Sequence, residues 1–203
     1  MSSPILEAKN ISKTFGNIKA LDNVDFYLQK GFVHGLLGEN GAGKSSLMNI
    51  LSGIYIPESG SIKINNQKIE KMTPDIAASF GIGMVHQEFR LIESFSIKDN
   101  LTLSKANIFT DNFKEAYDKY SEIFALNSNY LTPVNELSVG EKQKVEIMKL
   151  IFKNSQIMLL DEPTAVLTPQ ETSQLKDSLE KLSQEDEKTI VLITHKLKEI
   201  KDF

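Results

Sequence analysis

Residues 38–45 read GENGAGKS, and this stretch decides the fold class of the chain. It matches the pattern G-x-x-x-x-G-K-[ST], in which glycines let successive backbone N–H groups turn inward around an anion. An apolar run at residues 32–37 precedes the stretch, and a helical pattern at residues 44–52 follows it. A buried strand, a glycine-rich turn and a helix in this order predict a phosphate-binding loop, because the helix N-terminus adds partial positive charge.

Two side chains at the end of the loop complete the predicted phosphate site. We expect Lys44 to reach the β- and γ-phosphates of a nucleotide and the Ser45 hydroxyl to ligate Mg²⁺. The alternative is a glycine-rich turn without function. The four fixed positions match by chance on the order of once in a hundred chains of this length. The flanking strand and helix therefore favour the phosphate site.

Short apolar runs alternate with helical patterns along most of the chain. Runs typical of strands buried on both faces of a parallel sheet cover residues 32–37, 82–85, 157–160 and 190–193. Helical patterns between these runs cover residues 44–52, 74–80, 139–152 and 169–182. Segments that alternate apolar and polar residues cover 5–9, 23–29 and 61–69. The pattern predicts an α/β fold with a parallel core sheet and a small antiparallel β subdomain near the N-terminus.

Residues 89–153 differ from this alternation. They contain no obvious buried strand, and their apolar residues recur at helical spacing. The residues that show this spacing are Phe113, Ala116, Tyr117, Tyr120, Ile123 and Phe124. We therefore expect residues 89–153 to form a helical lobe inserted between two strands of the core.

A second chemical motif lies at residues 157–162, which read IMLLDE. Here an apolar strand ends in two carboxylates. Asp161 is expected to hold Mg²⁺ through water, and Glu162 to polarise an attacking water as a general base. The structural alternative is a buried strand that ends in a polar turn. The presence of the phosphate-binding loop in the same chain favours the functional interpretation.

A third motif is the run LSVGE at residues 137–141. Ser138 followed three residues later by Glu141 is a capping box, which predicts an ordinary helix N-terminus. A Ser and a Gly at a helix N-terminus also form an anion site. The two interpretations are compatible, and both remain open at this point.

Composition excludes several classes of site. The 203 residues contain no cysteine, so disulfides, thiol catalysis and Cys-ligated metal centres are excluded. The three histidines, His34, His86 and His195, lack metal-ligand spacing. A net charge of −4 argues against a sequence-blind nucleic-acid binder, which would carry a basic surface. No run of 18 apolar residues predicts a membrane span, and the first ten residues do not have the pattern of a signal peptide.

Together the motifs resemble the nucleotide-binding domain of ATP-binding cassette (ABC) proteins. The resemblance rests on the loop at residues 38–45, the Leu-Ser-x-Gly signature at 137–140 and the run DEPT at 161–164, in this order. It implies a P-loop NTPase fold over residues 1–203. Within it, residues 1–88 and 154–203 would form the RecA-like core with the antiparallel β subdomain. Because such cassettes usually continue past the last motif, we expect an N-terminal cassette truncated at its C-terminus.

Three strings narrow the resemblance to the ATPase subunits of simple-sugar and nucleoside importers. They are LSVG at residues 137–140, EPTAVLTPQE at 162–171 and THKLKE at 194–199. This chain differs from the usual family pattern at three positions. Val139 replaces the usual Gly, Glu141 replaces the usual Gln, and Thr168 replaces the usual Asp. A carboxylate at position 141 would repel the γ-phosphate of a facing cassette, so its placement matters.

The resemblance also implies roles for individual residues. Phe15 would stack on adenine, Gln87 would contact Mg²⁺ and the attacking water, and His195 would contact the γ-phosphate. Judged without the family, these three are a core strand residue, a solvated loop glutamine and a structural histidine. The nucleotide contacts would be Phe15, Gly38, Glu39, Asn40, Gly41, Ala42, Gly43, Lys44, Ser45 and Ser46, with Ser138 and Gly140 from a facing cassette. The catalytic residues would be Lys44, Gln87, Glu162 and His195, and the Mg²⁺ ligands Ser45, Gln87 and Asp161.

The implied function is ATP hydrolysis that powers import of a nucleoside or simple sugar. The implied partners are a second nucleotide-binding domain, transmembrane permease subunits and, indirectly, an extracytoplasmic solute-binding protein. Nucleic acid is not among them. The implied location is cytoplasmic, peripheral on the inner face of the cell membrane. Two alternatives remain open: a non-transport ABC ATPase of translation or DNA repair, and an ATP-binding module that is inactive in isolation.

Overall fold

The structure, a computed structural model, describes residues 3–103 and 111–197. The described strands are β1 (Leu6–Phe15), β2 (Ile18–Leu28), β3 (Val33–Leu37), β4 (Ser59–Ile64), β5 (Gln67–Ile69), β6 (Ile82–Val85), β7 (Ile157–Asp161) and β8 (Thr189–Thr194). The described helices are α1 (Lys44–Leu51), α2 (Pro74–Ser79), α3 (Ile97–Thr102), α4 (Phe113–Ile123), α5 (Val139–Phe152) and α6 (Pro169–Glu185). The α/β fold with one parallel and one antiparallel sheet is confirmed.

The parallel sheet has the strand order β3-β8-β7-β6. Its register pairs Leu37 with Thr194, and Asp161 with Ile193, so the carboxyl ends of these strands meet at one edge. Every residue of β8 is buried, as the continuous apolar pattern of residues 190–193 predicts. The register brings the segments that follow β3, β7 and β8 to the same edge, where ligands bind in open α/β sheets.

Two hydrophobic clusters cover the two faces of this sheet. Along β7, Met158 and Leu160 belong to the cluster that contains α4, α5 and α6, whereas Ile157 and Leu159 belong to the cluster that contains α1 and the antiparallel sheet. This alternation follows from the two-residue period of a strand. The parallel sheet is therefore the middle layer, with helices on one side and α1 and the β subdomain on the other.

The antiparallel sheet has the order β2-β1-β4-β5, with four strands where the sequence pattern predicts three segments. β1 and β2 are longer than the predicted segments 5–9 and 23–29. Residues 61–69 form two strands rather than one, because the backbone turns at Asn65 and Asn66, which both adopt left-handed φ angles of 50° and 63°. Asparagine tolerates this conformation better than most residues, which suits it to a two-residue hairpin turn. Strands β1 and β2 form a second hairpin, with Phe15 paired with Ile18 across its end.

In the part of this region that the structure describes, residues 86–103 and 111–156, the α-helices α3, α4 and α5 lie between β6 and β7. An aromatic cluster joins α4 to α5: the rings of Phe113 and Phe152 lie 5.4 Å apart, and those of Tyr117 and Tyr130 lie 5.5 Å apart. Phe113 and Tyr117 are among the apolar residues whose helical spacing is visible in the sequence. None of the helices in residues 3–103 and 111–197 is both long and apolar enough to cross a membrane.

Candidate functional site

The loop between β3 and α1 depends on glycines for two different reasons. Gly41 and Gly43 have left-handed φ angles of 85° and 87°. A Cβ atom at Gly41 would meet open space, whereas a Cβ at Gly43 would lie 2.3 Å from the carbonyl oxygen of Ala20 on β2. Gly41 therefore serves the backbone conformation alone, whereas Gly43 also allows the close approach of β2.

Lys44 lies over the loop that precedes it. Its Nζ donates hydrogen bonds to the carbonyl oxygens of Gly38 at 2.7 Å and Glu39 at 2.8 Å. The ammonium group is thereby held at the mouth of the loop. The N-terminus of α1 carries no side-chain cap and no acidic residue in its first turn. The loop thus presents a cation together with backbone N–H groups that no side chain of this helix neutralises.

Asp161, at the end of β7, meets Ser45 at the start of α1. The Ser45 hydroxyl donates a hydrogen bond to the Asp161 carboxylate. Burial raises the pKa of Asp161, and the neighbouring charge of Glu162 raises it further, although the bond from Ser45 opposes both. Burial in this setting disfavours a bare carboxylate, so a cation beside it would stabilise its charged form.

Glu162 follows Asp161 in an unusual backbone conformation. Its φ is 48°, in the left-handed region that non-glycine residues rarely adopt, and its N–H donates to the carbonyl oxygen of Ile193 at 3.0 Å. Its Oε1 lies 2.8 Å from Nδ1 of His195, which follows β8. Because the carboxylate accepts, Nδ1 is the donor in this bond and Nε2 remains available to a ligand. The strained turn and the histidine together fix the direction of the Glu162 side chain.

These groups surround one cavity of about 350 Å³. Its lining residues are Ile18, Ala20, Asn40, Gly41, Gly43, Lys44, Ser45, Ser46, Gln87, Asp161 and Glu162. The structure therefore brings together residues from the loop, the end of β7 and the segment after β6. Gly38, Glu39 and Ala42 belong to the same loop without lining the cavity, and His195 reaches it through Glu162.

Two lining residues, Ile18 and Ala20, were not indicated by the motif pattern. They lie on β2, which crosses the loop at the hairpin formed with β1. An available signal was Ile18 itself, an apolar residue after a Gly-Asn turn; its side chain is exposed. Phe15 lies beside it with 40% exposure, and its ring makes an edge contact with Tyr55 at 5.2 Å between centroids. An exposed aromatic at the rim of the cavity suits a flat ligand surface.

Ser138 and Gly140 lie elsewhere, at the N-terminus of α5. Neither is among the described residues that line the cavity. A Cβ at Gly140 would lie 2.4 Å from Oε1 of Glu171 on α6, so the glycine allows the N-termini of α5 and α6 to approach. A site that used Ser138 together with Lys44 would need a second copy of the fold.

The capping box at Ser138 is confirmed, and it accounts for Glu141. The Glu141 carboxylate accepts bonds from the Ser138 N–H at 2.9 Å, the Ser138 hydroxyl at 2.8 Å and the Ser128 hydroxyl at 2.5 Å. Although burial raises the pKa of Glu141, these bonds outweigh it and hold the pKa below its usual value. The charge is directed onto its own helix terminus. Thr168 likewise caps α6 through Glu171, in place of the usual Asp.

Comparisons with known proteins agree with this geometry. The family model "ABC transporter" matches residues 21–165. The nucleoside import ATP-binding protein NupA of Lactococcus lactis is 40% identical over 97% of this chain, and the ribose import ATP-binding protein RbsA of Caldanaerobacter subterraneus is 43% identical over 97%. The chain spans 40% and 41% of the length of these two relatives.

Solved structures give the same result for the fold. A nucleotide-free ATP-binding cassette from an ABC transporter superposes with a TM-score of 0.86 and 26% identity, covering 99% of this chain and 85% of that one. The dimeric structure of a bacterial ABC transporter cassette gives a TM-score of 0.83 and 28% identity, covering 97% and 90%. The chain belongs to the ABC transporter family, and its fold is that of an ATP-binding cassette.

Proposed function

We propose that the protein binds and hydrolyses ATP to power import of a small solute, a nucleoside or a simple sugar, through partner membrane permeases. The observation that carries the proposal is the meeting of Glu162, bonded to His195, with the loop of Lys44 across one cavity. The relatives named for nucleoside and ribose import support the solute class.

The phosphates of ATP would occupy the loop. Backbone N–H groups of the loop and of the first turn of α1 would bond the phosphate oxygens, and Lys44 would exchange its bonds to Gly38 and Glu39 for bonds to phosphate. Phe15, at the rim, would stack on the adenine ring. The remaining nucleotide contacts would come from Asn40, Ala42 and Ser46.

The residues around Ser45 suit Mg²⁺. Ser45, Asp161 and Gln87 line the same cavity. Their hydroxyl, carboxylate and amide oxygens are ligands of the kind that a hard cation prefers. Among the described residues no group of three or more His, Cys, Asp or Glu side chains forms a metal site, so phosphate and water would complete the coordination. When bound, the ion would neutralise charge on the transferring phosphoryl group.

Hydrolysis would proceed by in-line attack of water on the γ-phosphate. Glu162 would orient and polarise the water, because its carboxylate direction is held by His195 and by the left-handed backbone. Lys44 would stabilise charge on the γ-phosphate, and Nε2 of His195 would contact it. Positioning and charge stabilisation supply most of the rate in such reactions.

The complete site would need a second cassette, whose Ser138 and Gly140 would face this ATP. We infer that residues 89–153 form the lobe that docks on membrane permeases beside Gln87, and that an extracytoplasmic solute-binding protein delivers the solute. The protein would then lie on the cytoplasmic face of the cell membrane. The solved dimer of a related cassette supports the pairing of two copies.

The test is the variant Glu162→Gln in the intact protein. The amide keeps the size of the side chain and loses the negative charge, so we expect ATP binding within about twofold of the parent and a turnover at least about 100-fold lower. Calorimetry measures the binding and phosphate release measures the turnover. Glu180→Gln, on the far part of α6, is the control. An undiminished turnover in Glu162→Gln would exclude Glu162 as the base.

A further inference from the structure

The segment that carries Gln87 away from the cavity is fastened by buried polar side chains. Strand β6 ends at Val85, and the chain forms no helix or strand until α3 begins at Ile97. A backbone without a ladder must find other partners for its N–H and C=O groups wherever water is excluded. For the peptides of Arg90 and Ile92, the partners include side chains of α3 and α5.

The first set of hydrogen bonds holds both the N–H and the carbonyl group of Arg90. Its N–H donates to the Glu146 carboxylate, and its carbonyl oxygen accepts from Lys149 Nζ at 2.7 Å. Glu146 and Lys149 also form an ion pair at 3.1 Å. Their side chains are only 7% and 14% exposed. The pair therefore acts as one clasp on one residue.

The second set of hydrogen bonds repeats this arrangement two residues later. The Asn100 side chain accepts from the Ile92 N–H at 2.8 Å and donates to the Ile92 carbonyl oxygen at 3.0 Å. Asn100 is buried, with 3% of its surface exposed. A further bond at 3.0 Å joins its amide to the carbonyl oxygen of Ser96, the N-cap of α3. Both peptides are thus held by side chains that are largely shielded from water.

Burying the ion pair of Glu146 and Lys149 carries a desolvation penalty that lowers its contribution to the stability of the fold. Taking an ion pair out of water costs several kcal/mol per ion, and well-packed apolar residues of the same volume often stabilise a fold at least as well. What the clasp supplies instead is a defined position for the backbone three residues after Gln87. His86, on the other side of Gln87, lies close enough to Asp161 and Glu146 to feel both charges, although burial and Arg90 lower its pKa.

We propose that Glu146, Lys149 and Asn100 are positioning residues that set the reach of Gln87 into the nucleotide cavity. The proposal rests on the proposed function and deepens it. Because Glu146 and Lys149 lie on α5, which begins beside Ser138, the clasp also ties Gln87 to the helix that would face the second ATP. A displacement of α5 would pull directly on the Arg90 backbone and, through it, on Gln87.

A double-mutant cycle in the intact protein tests the proposal. Glu146→Ala should lower kcat about tenfold while the KM for ATP changes less than about twofold, since a small misplacement of a contacting group acts mainly on the reacting geometry. In a Gln87→Ala background the same change should cost less than about twofold, because the group that the clasp positions is already absent. Equal losses in both backgrounds would overturn the proposal.

Three further variants separate positioning from folding. Glu146→Gln keeps an acceptor for the Arg90 N–H and should retain most of the activity. Glu146→Met with Lys149→Met removes both charges without leaving either buried alone, so it should fold even if Glu146→Ala does not, and it should show the same loss of kcat. The control Asp186→Asn removes the charge of a little-exposed carboxylate that accepts bonds from Lys119 and Tyr120, and it should leave kcat unchanged.

A readout without turnover keeps this test independent of the proposed function. In the parent, Mg²⁺ and ATP should slow amide hydrogen exchange in residues 86–91, because the bound nucleotide engages Gln87. In Glu146→Ala that protection should fall at least about threefold more than in Asp186→Asn. If the parent bound ATP but did not hydrolyse it, the proposed function would be wrong. The exchange measurement would still show whether Glu146 positions the segment that contains Gln87. Protection that survives in Glu146→Ala would contradict it.

Discussion

The N-termini of α1 and α5 are built in opposite ways. The N-cap of helix α1 is Gly43, which has no side chain, and the first turn of α1 contains no acidic residue. The N-cap of helix α5 is Ser138, whose hydroxyl and N–H both donate to Glu141 in a capping box. The first terminus leaves its N–H groups to an external anion, whereas the second satisfies them internally. The contrast fits the position of the α1 terminus on the cavity described above, which Ser138 and Gly140 do not line.

The same contrast appears in the carboxylates nearby. Burial raises the pKa of Asp161, which faces α1, whereas hydrogen bonds hold the pKa of Glu141 below its usual value against the effect of burial. Burial disfavours the charged form of the first carboxylate, and a bound cation would stabilise that form. The second stabilises the fold as it stands. The proposed binding groups therefore lie on the α1 side. In the proposed pair of cassettes, the Ser138 hydroxyl would have to leave Glu141 before it could donate to the phosphate of the facing cassette.

The largest effect is expected from removing the charge at the α1 terminus. Lys44→Ala deletes the ammonium group that spans the loop, so ATP affinity should fall at least about 100-fold, or roughly 2.7 kcal/mol. Isothermal titration calorimetry measures it. The control Lys30→Ala removes an exposed lysine paired with Glu187 and should leave the affinity unchanged. An unaltered affinity in Lys44→Ala would contradict the assignment of the loop.

The next largest effect is expected on stability, from substitution of Gly43 at the N-cap of α1. Gly43→Ala places a methyl group against the Ala20 carbonyl at a left-handed φ, so the free energy of unfolding should fall by about 2–4 kcal/mol. Gly41→Ala has the same φ but no neighbour within 4 Å, and should cost only about 1 kcal/mol. Chemical denaturation of the pair measures both. Equal losses would show that β2 does not press on the loop.

A smaller effect is expected at α5. Glu141→Gln keeps the capping bonds, because glutamine also serves at this position, and removes the charge. The free energy of unfolding should change by less than about 0.5 kcal/mol, whereas ATP-dependent association of two cassettes should tighten about three- to tenfold. Sedimentation with a hydrolysis-deficient Glu162→Gln parent measures the association. Weaker association would mean that the carboxylate helps rather than hinders the contact.

The smallest effect is expected on the pH dependence of the Tm, in which Asp161 and Glu141 should act with opposite signs. A raised folded-state pKa means that Asp161 costs stability at neutral pH and that the cost disappears as the pH falls. Asp161→Asn should therefore raise the Tm of the nucleotide-free protein at pH 7 by about 1–3 °C, with the gain vanishing toward pH 4. Glu141 has the opposite sign: its lowered pKa supplies stability above pH 4.5 that is lost on further acidification. Thermal melting between about pH 2.5 and pH 8 measures both.

This pH comparison has a control variant and an outcome that would contradict it. Asp177→Asn removes an exposed carboxylate on α6, and its Tm should follow the parent at every pH. If Asp161→Asn lowered the Tm at pH 7, the bond from Ser45 would outweigh the burial of the carboxylate, and the two helix termini would not differ in the way described.

The sequence predicts most of this architecture because its signals are local. The glycine spacing at residues 38–45, the apolar runs of the parallel strands and the carboxylates after residue 160 each act within a few neighbours. The hairpin at Asn65 and Asn66 was missed because residues 61–69 keep an unbroken alternating pattern. The sequence pattern does not indicate that Ile18 and Ala20 line the cavity, because their position there depends on which strand crosses the loop.

The sequence by itself determined the class of fold, the edge of the sheet where the site lies and the residue types that could bind phosphate, because parallel strands present their carboxyl ends together. Only the tertiary structure decided the contacts between distant segments: Gly43 against Ala20, Glu162 with His195, and Glu146 on the Arg90 backbone. The physical reason is that these contacts join residues 23 to 56 positions apart in the chain, where no local periodicity records which surfaces will meet.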